Sequence, residues 1–348
     1  MSAQTSRELV LVTGANGFIA ARTIEAFLEA GYDVRGTVRS EASGVGIQEA
    51  LKSYVDSGRF EVVVVEDITR SGAFDKAVAG CHAIAHLAAP VSLSFTDPVP
   101  VLHGAIVGTE TLLNSAHEFG ANLKTVVLMS SIAAILSPRD PGYIYSEKDW
   151  NEKSQQEVAR LGSGATGYDI YAASKTAAEQ AFWKFRDNKK PSFAMTAVNP
   201  TFVGGPPLVS PENPEHISGT VRHIWTILSG APIPPTLGGS GSTVDIRDVA
   251  RLMVFAVKNP KKANGQRYLA VSAAGTNEAI ADILREKYPD RASIIKGEPS
   301  AVLEEKSFDI SGVIDNSKAV EAMGGAIHWV QGECSGCCRK LREISLKS

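Results

Sequence analysis

An α/β fold built on a doubly wound parallel sheet is predicted by three features of the first 200 residues. Short β-branched runs alternate with helical stripes. The runs are apolar throughout, and the first leads through a glycine-rich turn straight into a helix. Strands covered on both faces carry such continuous apolar runs, and the helices between them supply the right-handed crossovers that parallel pairing requires. Six strands are expected, at Leu9–Val12, Val34–Val38, Phe60–Val65, Ala83–Leu87, Thr125–Met129 and Phe193–Val198. Ala20, Ile24, Phe27 and Leu28 fall at i, i+4, i+7 and i+8 of the first helix. Leu102, Ile106, Thr109, Leu113 and Ala116 place a similar stripe on a longer one.

After Pro200 the texture changes. Residues 204–216 and 230–241 are dense in Gly and Pro and read as loops. Helices are expected at Gly219–Leu228, Arg247–Lys258 and Asn277–Lys287, with a strand at Arg267–Val271. The chain thus divides into a Rossmann-type domain over residues 1–200 and a smaller, less regular region over 201–330. Residues 244–258 of the second region return to the core, and residues 331–348 form a cysteine-containing tail.

Composition narrows the class. A chain of 348 residues buries about three-quarters of its unfolded surface and needs no metal or disulfide to hold together. At 44% hydrophobic and 21% charged residues it is not a disordered chain. Lys plus Arg total 35 against 38 Asp plus Glu, a net charge of −3, so no broad positive field attracts nucleic acid or an anionic membrane. No run approaches the ~20 apolar residues of a membrane span, and Leu9–Val12 falls far short of a signal-peptide core. Four cysteines are too few for a disulfide scaffold and fit a reducing compartment, the cytoplasm. A small molecule is the expected partner; monomer and dimer both stay open.

The first strand runs into Thr13-Gly14-Ala15-Asn16-Gly17-Phe18-Ile19-Ala20 and then a helix. A strand, a glycine turn and a helix N-terminus in this order bind a pyrophosphate through backbone N–H groups. Gly14 allows the sharp turn, Gly17 the close approach, and Ala20 stands where helix must meet strand. Thr13, Asn16, Phe18 and Ile19 complete the expected cradle. NAD-binding chains of this kind end the second strand in an acid that holds the ribose hydroxyls. Here the strand ends in Val38, and Arg39 follows. A guanidinium there suits the 2′-phosphate of NADP, with Ser40 as a further donor, whereas Arg35 is expected on the opposite face. Asp67 and Ile68 either bound the adenine edge or form a plain turn.

Tyr171 and Lys175, at i and i+4, share one face of a helix, and the fifth strand ends in Ser130-Ser131. Strand C-terminal ends are where doubly wound sheets place their ligands. Tyr171 is the expected general acid for carbonyl reduction, with Lys175 lowering its pKa and holding the nicotinamide ribose. Ser131, or else Ser130, is the second donor to the developing alkoxide.

Thr13-Gly14-x-x-Gly17, Ser131, Tyr171 and Lys175 resemble the extended short-chain dehydrogenase/reductase family, nearest its dihydroflavonol reductase-like carbonyl reductases. Tyr171 through Glu179, Asn199-Pro200 and Val244 through Ala250 carry the same resemblance, which runs from about residue 7 to about residue 325. It implies an NADPH-dependent reductase that delivers the pro-S hydride of its cofactor to an aldehyde or ketone, keto esters included. It also implies that Pro200, Phe202 and Val203 lie along the nicotinamide, and that Ala88 and Ala89 line the path of the adenine ribose and diphosphate. Pro90, Val91 and Phe95 form one candidate substrate wall, and Pro206, Trp225 and Thr243 the other.

Two departures stand out. Ala105 takes the place where many relatives carry an asparagine of a water relay. The C-terminal Cys334, Cys337 and Cys338, with only His328 nearby, lack the four ligands of a zinc site, so no metal is expected. Competing readings on the same residues are a hydroxysteroid dehydrogenase, a nucleotide-sugar epimerase, and a module that senses NADP without turnover. Arg39 and the apolar candidate pocket weigh against the epimerase, and an intact Tyr171–Lys175 pair weighs against the sensor.

Overall fold

The computed structural model describes residues 7–211, 213, 217, 219–232, 242–274, 277–297, 314–325 and 327. Seven parallel strands form the main sheet: β1 (Leu9–Thr13), β2 (Asp33–Val38), β3 (Phe60–Val64), β4 (Ala83–His86), β5 (Thr125–Met129), β6 (Ala194–Pro200) and, far along the chain, one at Arg267–Ala270. Their order is β3-β2-β1-β4-β5-β6, and the Arg267–Ala270 strand closes the edge beside β6. The direction of winding reverses between β1 and β4, and a crevice opens there at the strand C-termini.

Alternate residues of the central strands feed opposite cores, which is why those runs are largely apolar, whereas β2 and β3 at one edge carry Arg35 and Glu61. Val10, Val12, Ala83, Ala85 and Val127 face α1 (Phe18–Glu29), whose Ile24, Phe27 and Leu28 are buried. Leu11, Ile84, Val126 and Leu128 face the other way, toward a core that includes Leu112, Leu113 and Phe182. Those last three lie on long helices, Pro98–Phe119 and Gly167–Lys189.

The strand expected at Arg267–Val271, within the less regular second half, belongs to the large sheet. Its residues pair with β6 in parallel, Ala197 against Arg267 and Pro200 against Ala270. The chain reaches it by an excursion through a short sheet of Phe202–Gly204, Ser242–Asp245 and Ala273–Ala274. The helix Ile246–Lys258 within that excursion buries Val249, Leu252 and Met253 in the same core as α1. Helices Gly219–Leu228 and Asn277–Lys287 make a separate cluster with Ile224, Leu228 and Leu284 at its centre.

Among the described residues no helix is long and apolar enough to cross a membrane. No group of three or more metal-ligating side chains gathers among them either. His328 and the tail cysteines lie outside the described residues.

Candidate active site

The helix Gly167–Lys189, called α2 from here on, starts where Thr166 accepts a hydrogen bond from the Asp169 N–H and gives its own hydroxyl proton to the Asp169 carboxylate. That cap fixes where the helical turns begin, and with them the face shared by Tyr171 and Lys175. Gly167 allows the loop at Leu93–Phe95 to press against this end, since a Cβ there would collide with the Leu93 carbonyl.

At the end of β5 the two serines part. The Ser130 N–H extends the ladder to Val198 at 2.9 Å, and its hydroxyl donates to Glu179 at 2.6 Å. Ser131 opens a single tight turn over Ile132–Ala134. Its Oγ accepts from the Ala133 N–H at 3.1 Å and from the Tyr171 hydroxyl at 3.3 Å. Only Ser131 meets the tyrosine. With two donors already on its oxygen, its own proton is left to give to a third group.

Burial governs the electrostatics. Desolvation raises the Tyr171 pKa, partly offset by the Ser131 hydrogen bond. Desolvation also brings Lys175 down to about 8, against the pull of the Glu179 carboxylate, which favours its charged form. His86 is pushed down to about 3 by burial and by the Lys175 charge, so it is neutral. Thr13 Oγ1 accepts from the Leu87 and Ala88 N–H groups, both at 3.0 Å, which leaves its proton for His86 Nδ1 at 2.9 Å. That assigns the imidazole proton to Nε2. His86, Ala88, Ala89, Pro90 and Ala105 line one pocket with Lys175.

The glycine turn packs into the crevice. Gly14 has φ +72°, and a Cβ on it would stand 3.2 Å from Ala88 Cα. Its N–H reaches Thr37 Oγ1 at 3.2 Å, and the Ala15 N–H reaches the Thr37 carbonyl at 2.8 Å. Gly36 in β2 admits Ala15, since a Cβ at Gly36 would approach Ala15 Cβ to 2.8 Å. Gly17 is the N-cap of α1, which has no side-chain cap and no acid in its first turn. The N–H groups of Phe18 and Ile19 and the positive end of the helix dipole thus face outward beside exposed Asn16. Thr13 is buried with its hydroxyl committed to β4, so it holds the turn from behind. Arg39 is exposed and takes part in no hydrogen bond or ion pair among the described residues. Arg35 points the other way, onto Glu61 at 2.6 Å and the Ala77 carbonyl. An uncapped helix, a tight glycine approach and an uncommitted guanidinium fit a dinucleotide carrying an extra phosphate.

Asp67 closes its own turn, accepting from the Thr69 N–H and hydroxyl, which lower its pKa. Ile68 meets the long helix Pro98–Phe119 at Gly108. Pro200 is buried at the end of β6, Val203 joins the core with α1, and Phe202 packs edge-on against His223.

The proposed substrate walls separate. Pro90 lines the Lys175 pocket. Val91 is 65% exposed, and Phe95 packs with Val101, Val158 and Ile170. The Pro206 carbonyl receives Arg22 Nε at 2.9 Å, Trp225 packs on the Ile224 cluster, and Thr243 pairs with Phe202 in the short sheet.

Sequence reasoning assigned no role to Glu179, Asn199, Arg267, His86, Thr37 or Gly36. The available signal for Glu179 was an acid one turn beyond Lys175, on the buried helix face that Tyr171 and Lys175 share. Nothing local marked Arg267, 88 residues away from it.

The model of the NAD dependent epimerase/dehydratase family matches residues 10–270. The chain belongs to that family. It is similar to a ketoreductase of Aspergillus niger, with 34% identity over 90% of this chain and 92% of the relative. An aldehyde reductase of Sporidiobolus salmonicolor is 37% identical over 66% of each chain. Among solved structures, the yeast methylglyoxal/isovaleraldehyde reductase Gre2 complexed with NADPH superposes with a TM-score of 0.85. It is 25% identical, and the match covers 98% of this chain and 100% of that one.

Proposed function

We propose that this chain is an NADPH-dependent carbonyl reductase that converts an aldehyde or ketone, keto esters included, to an alcohol. The observation that carries the reading is the Tyr171 hydroxyl at 3.3 Å from Ser131 Oγ, with Lys175 one helical turn on and buried beside it. The names and the NADPH complex of the relatives support it.

NADPH would be held by the turn at Gly14–Gly17, the first turn of α1, Ala88–Ala89, Lys175 and Arg39, and would supply the hydride for the carbonyl carbon. The remaining chemistry is the chain's own. A carbonyl oxygen placed between Tyr171 and Ser131 receives a hydrogen bond from each. As negative charge builds on that oxygen, the Tyr171 phenol gives up its proton and the Ser131 hydroxyl stabilises what remains. Burial holds the Tyr171 pKa up rather than down, so the phenol stays protonated until charge builds on the substrate oxygen, and the Lys175 ammonium one turn away would then favour the phenolate it becomes. With the Lys175 ammonium buried and the Tyr171 phenol half-buried, both act on the transition state more strongly than they would in open solvent.

The region after Pro200 shapes the substrate side in this reading, and cysteine usage argues for the cytoplasm. The test is consumption of NADPH with an activated ketone such as a β-keto ester, across a panel of aldehydes and ketones. No turnover with any of them, or turnover of a nucleotide sugar instead, would overturn the assignment.

A further inference from the structure

Beneath Tyr171 and Lys175 sits a buried carboxylate that the reaction does not touch. Glu179 lies on α2, one turn past Lys175 and two past Tyr171, and is completely buried. A lone buried carboxylate is costly and needs a full set of donors. Its Oε2 accepts from Ser130 Oγ at 2.6 Å, from Asn199 Nδ2 at 2.7 Å and from Arg267 Nη2 at 3.3 Å. Its Oε1 accepts from Arg267 Nε at 2.6 Å and from Trp183 Nε1 at 3.1 Å. Arg267 is held in turn by the Glu147 and Asp149 carbonyls, with its guanidinium 3.9 Å above the Trp150 ring. Asn199 also donates to the Ser131 carbonyl at 3.2 Å.

Four elements therefore meet on one carboxylate: β5 through Ser130, β6 through Asn199, the edge strand through Arg267, and α2 itself. Two of the links, Ser130 and Asn199, grip the backbone on either side of the Ser130–Ser131 junction. Such a clamp sets where Ser131 Oγ stands relative to the Tyr171 hydroxyl. Misplacement of a reacting group by about 1 Å costs on the order of a hundredfold in rate.

We propose that Glu179 is a positioning residue: with Arg267 as its counter-ion, it fixes Ser131 against Tyr171 and holds Lys175 in its charged form. This rests on the reductase reading given above. Among the described residues, the titratable and charged groups around Lys175 are Tyr171 and Glu179 on its own helix and His86 from β4. Arg267 approaches Glu179 from the edge strand. His86 is neutral and so contributes no charge. Among the described residues Glu179 is the one anion acting on Lys175, and it opposes the burial that strips the lysine of its proton.

Glu179→Gln separates this role from a merely structural one. The amide keeps the shape but removes the charge. The expected result is at least a tenfold loss in kcat at neutral pH, a KM for NADPH within about twofold of the parent, and an alkaline limb of the kcat profile moved to lower pH. Glu179→Asp keeps the charge, so its alkaline limb stays near that of the parent even as the shorter side chain lowers kcat. A folded Glu179→Gln protein with unchanged kcat and an unmoved limb would overturn the proposal. Should Glu179→Gln fail to fold, Ser130→Ala and Asn199→Ala each withdraw one donor and must lower kcat with cofactor affinity intact; unchanged kcat in both also overturns it. Titration of Lys175 by NMR of labelled lysines reads the same charge effect without turnover. That keeps failure of this proposal distinct from failure of the reductase assignment.

Discussion

The two ends of the crevice are built on opposite principles. Around Tyr171, the polar groups are mostly buried and bound to one another: Ser131 to Tyr171 and Ala133, Ser130 and Asn199 to Glu179, Glu179 to Arg267. Around Arg39, the guanidinium stands in solvent with no partner among the described residues. Proton transfer needs groups held to a fraction of an ångström in a dry site, and that demands a network spanning several elements. Reading a phosphate needs only a charge that can reach it, because the ligand supplies the geometry. Damage at the first end should therefore appear in kcat, and damage at the second in KM.

The sharpest way to break this contrast is Tyr171→Phe. Removing a general acid costs roughly 10²–10⁴-fold in kcat, while NADPH should still bind with near-parental affinity by fluorescence titration. Retained activity would remove Tyr171 from the proton-donor role. Arg39→Ala tests the other end: KM for NADPH should rise roughly tenfold, the scale of one lost charged hydrogen bond, with KM for NADH nearly unchanged. Equal effects on both cofactors would show that Arg39 does not meet the 2′-phosphate.

The pH profile sharpens the comparison further. Lys175, lowered by burial to about 8, is charged below that pH and neutral above it. The rate of carbonyl reduction should therefore hold steady on the neutral side and fall as pH rises through about 8. KM for NADPH as read by Arg39 should show no matching step, since a guanidinium keeps its proton throughout. A smaller and more local effect is expected from Gly36→Ala. Its Cβ would crowd Ala15 and push the glycine turn off β2, costing about 1–3 kcal/mol. Thermal unfolding should show the loss, along with weaker NADPH binding and little change in kcat at saturating cofactor.

Much of this was legible in the residues. The six strand runs are all present within a residue or two of their expected limits, because burial on both faces leaves a local imprint of mostly apolar residues, interrupted in β2 and β3 near the sheet edge by groups such as Arg35 and Glu61. The pair Tyr171–Lys175 needed only helical periodicity to be placed on one face. Three other features did not follow from local pattern. The strand at Arg267–Ala270 carries the same kind of imprint, but its neighbour in the sheet is β6, and nothing in the strand names that partner. The two serines at the end of β5 are adjacent and chemically alike; which one turns toward Tyr171 depends on Glu179 taking the other. The surroundings of Phe95 are likewise tertiary, since it packs against a cluster drawn from several elements that includes Val101 and Ile170.

Sequence alone determined the strands, the glycine turn, the guanidinium after β2 and the shared helix face of Tyr171 and Lys175, because each rests on the periodicity or steric needs of a few consecutive residues. Tertiary structure alone decided which serine meets Tyr171, the protonation balance of Lys175 and the donors gathered on Glu179. Those depend on burial and on donors arriving from strands as far away as residue 267, and a buried charge takes its properties from whatever surrounds it.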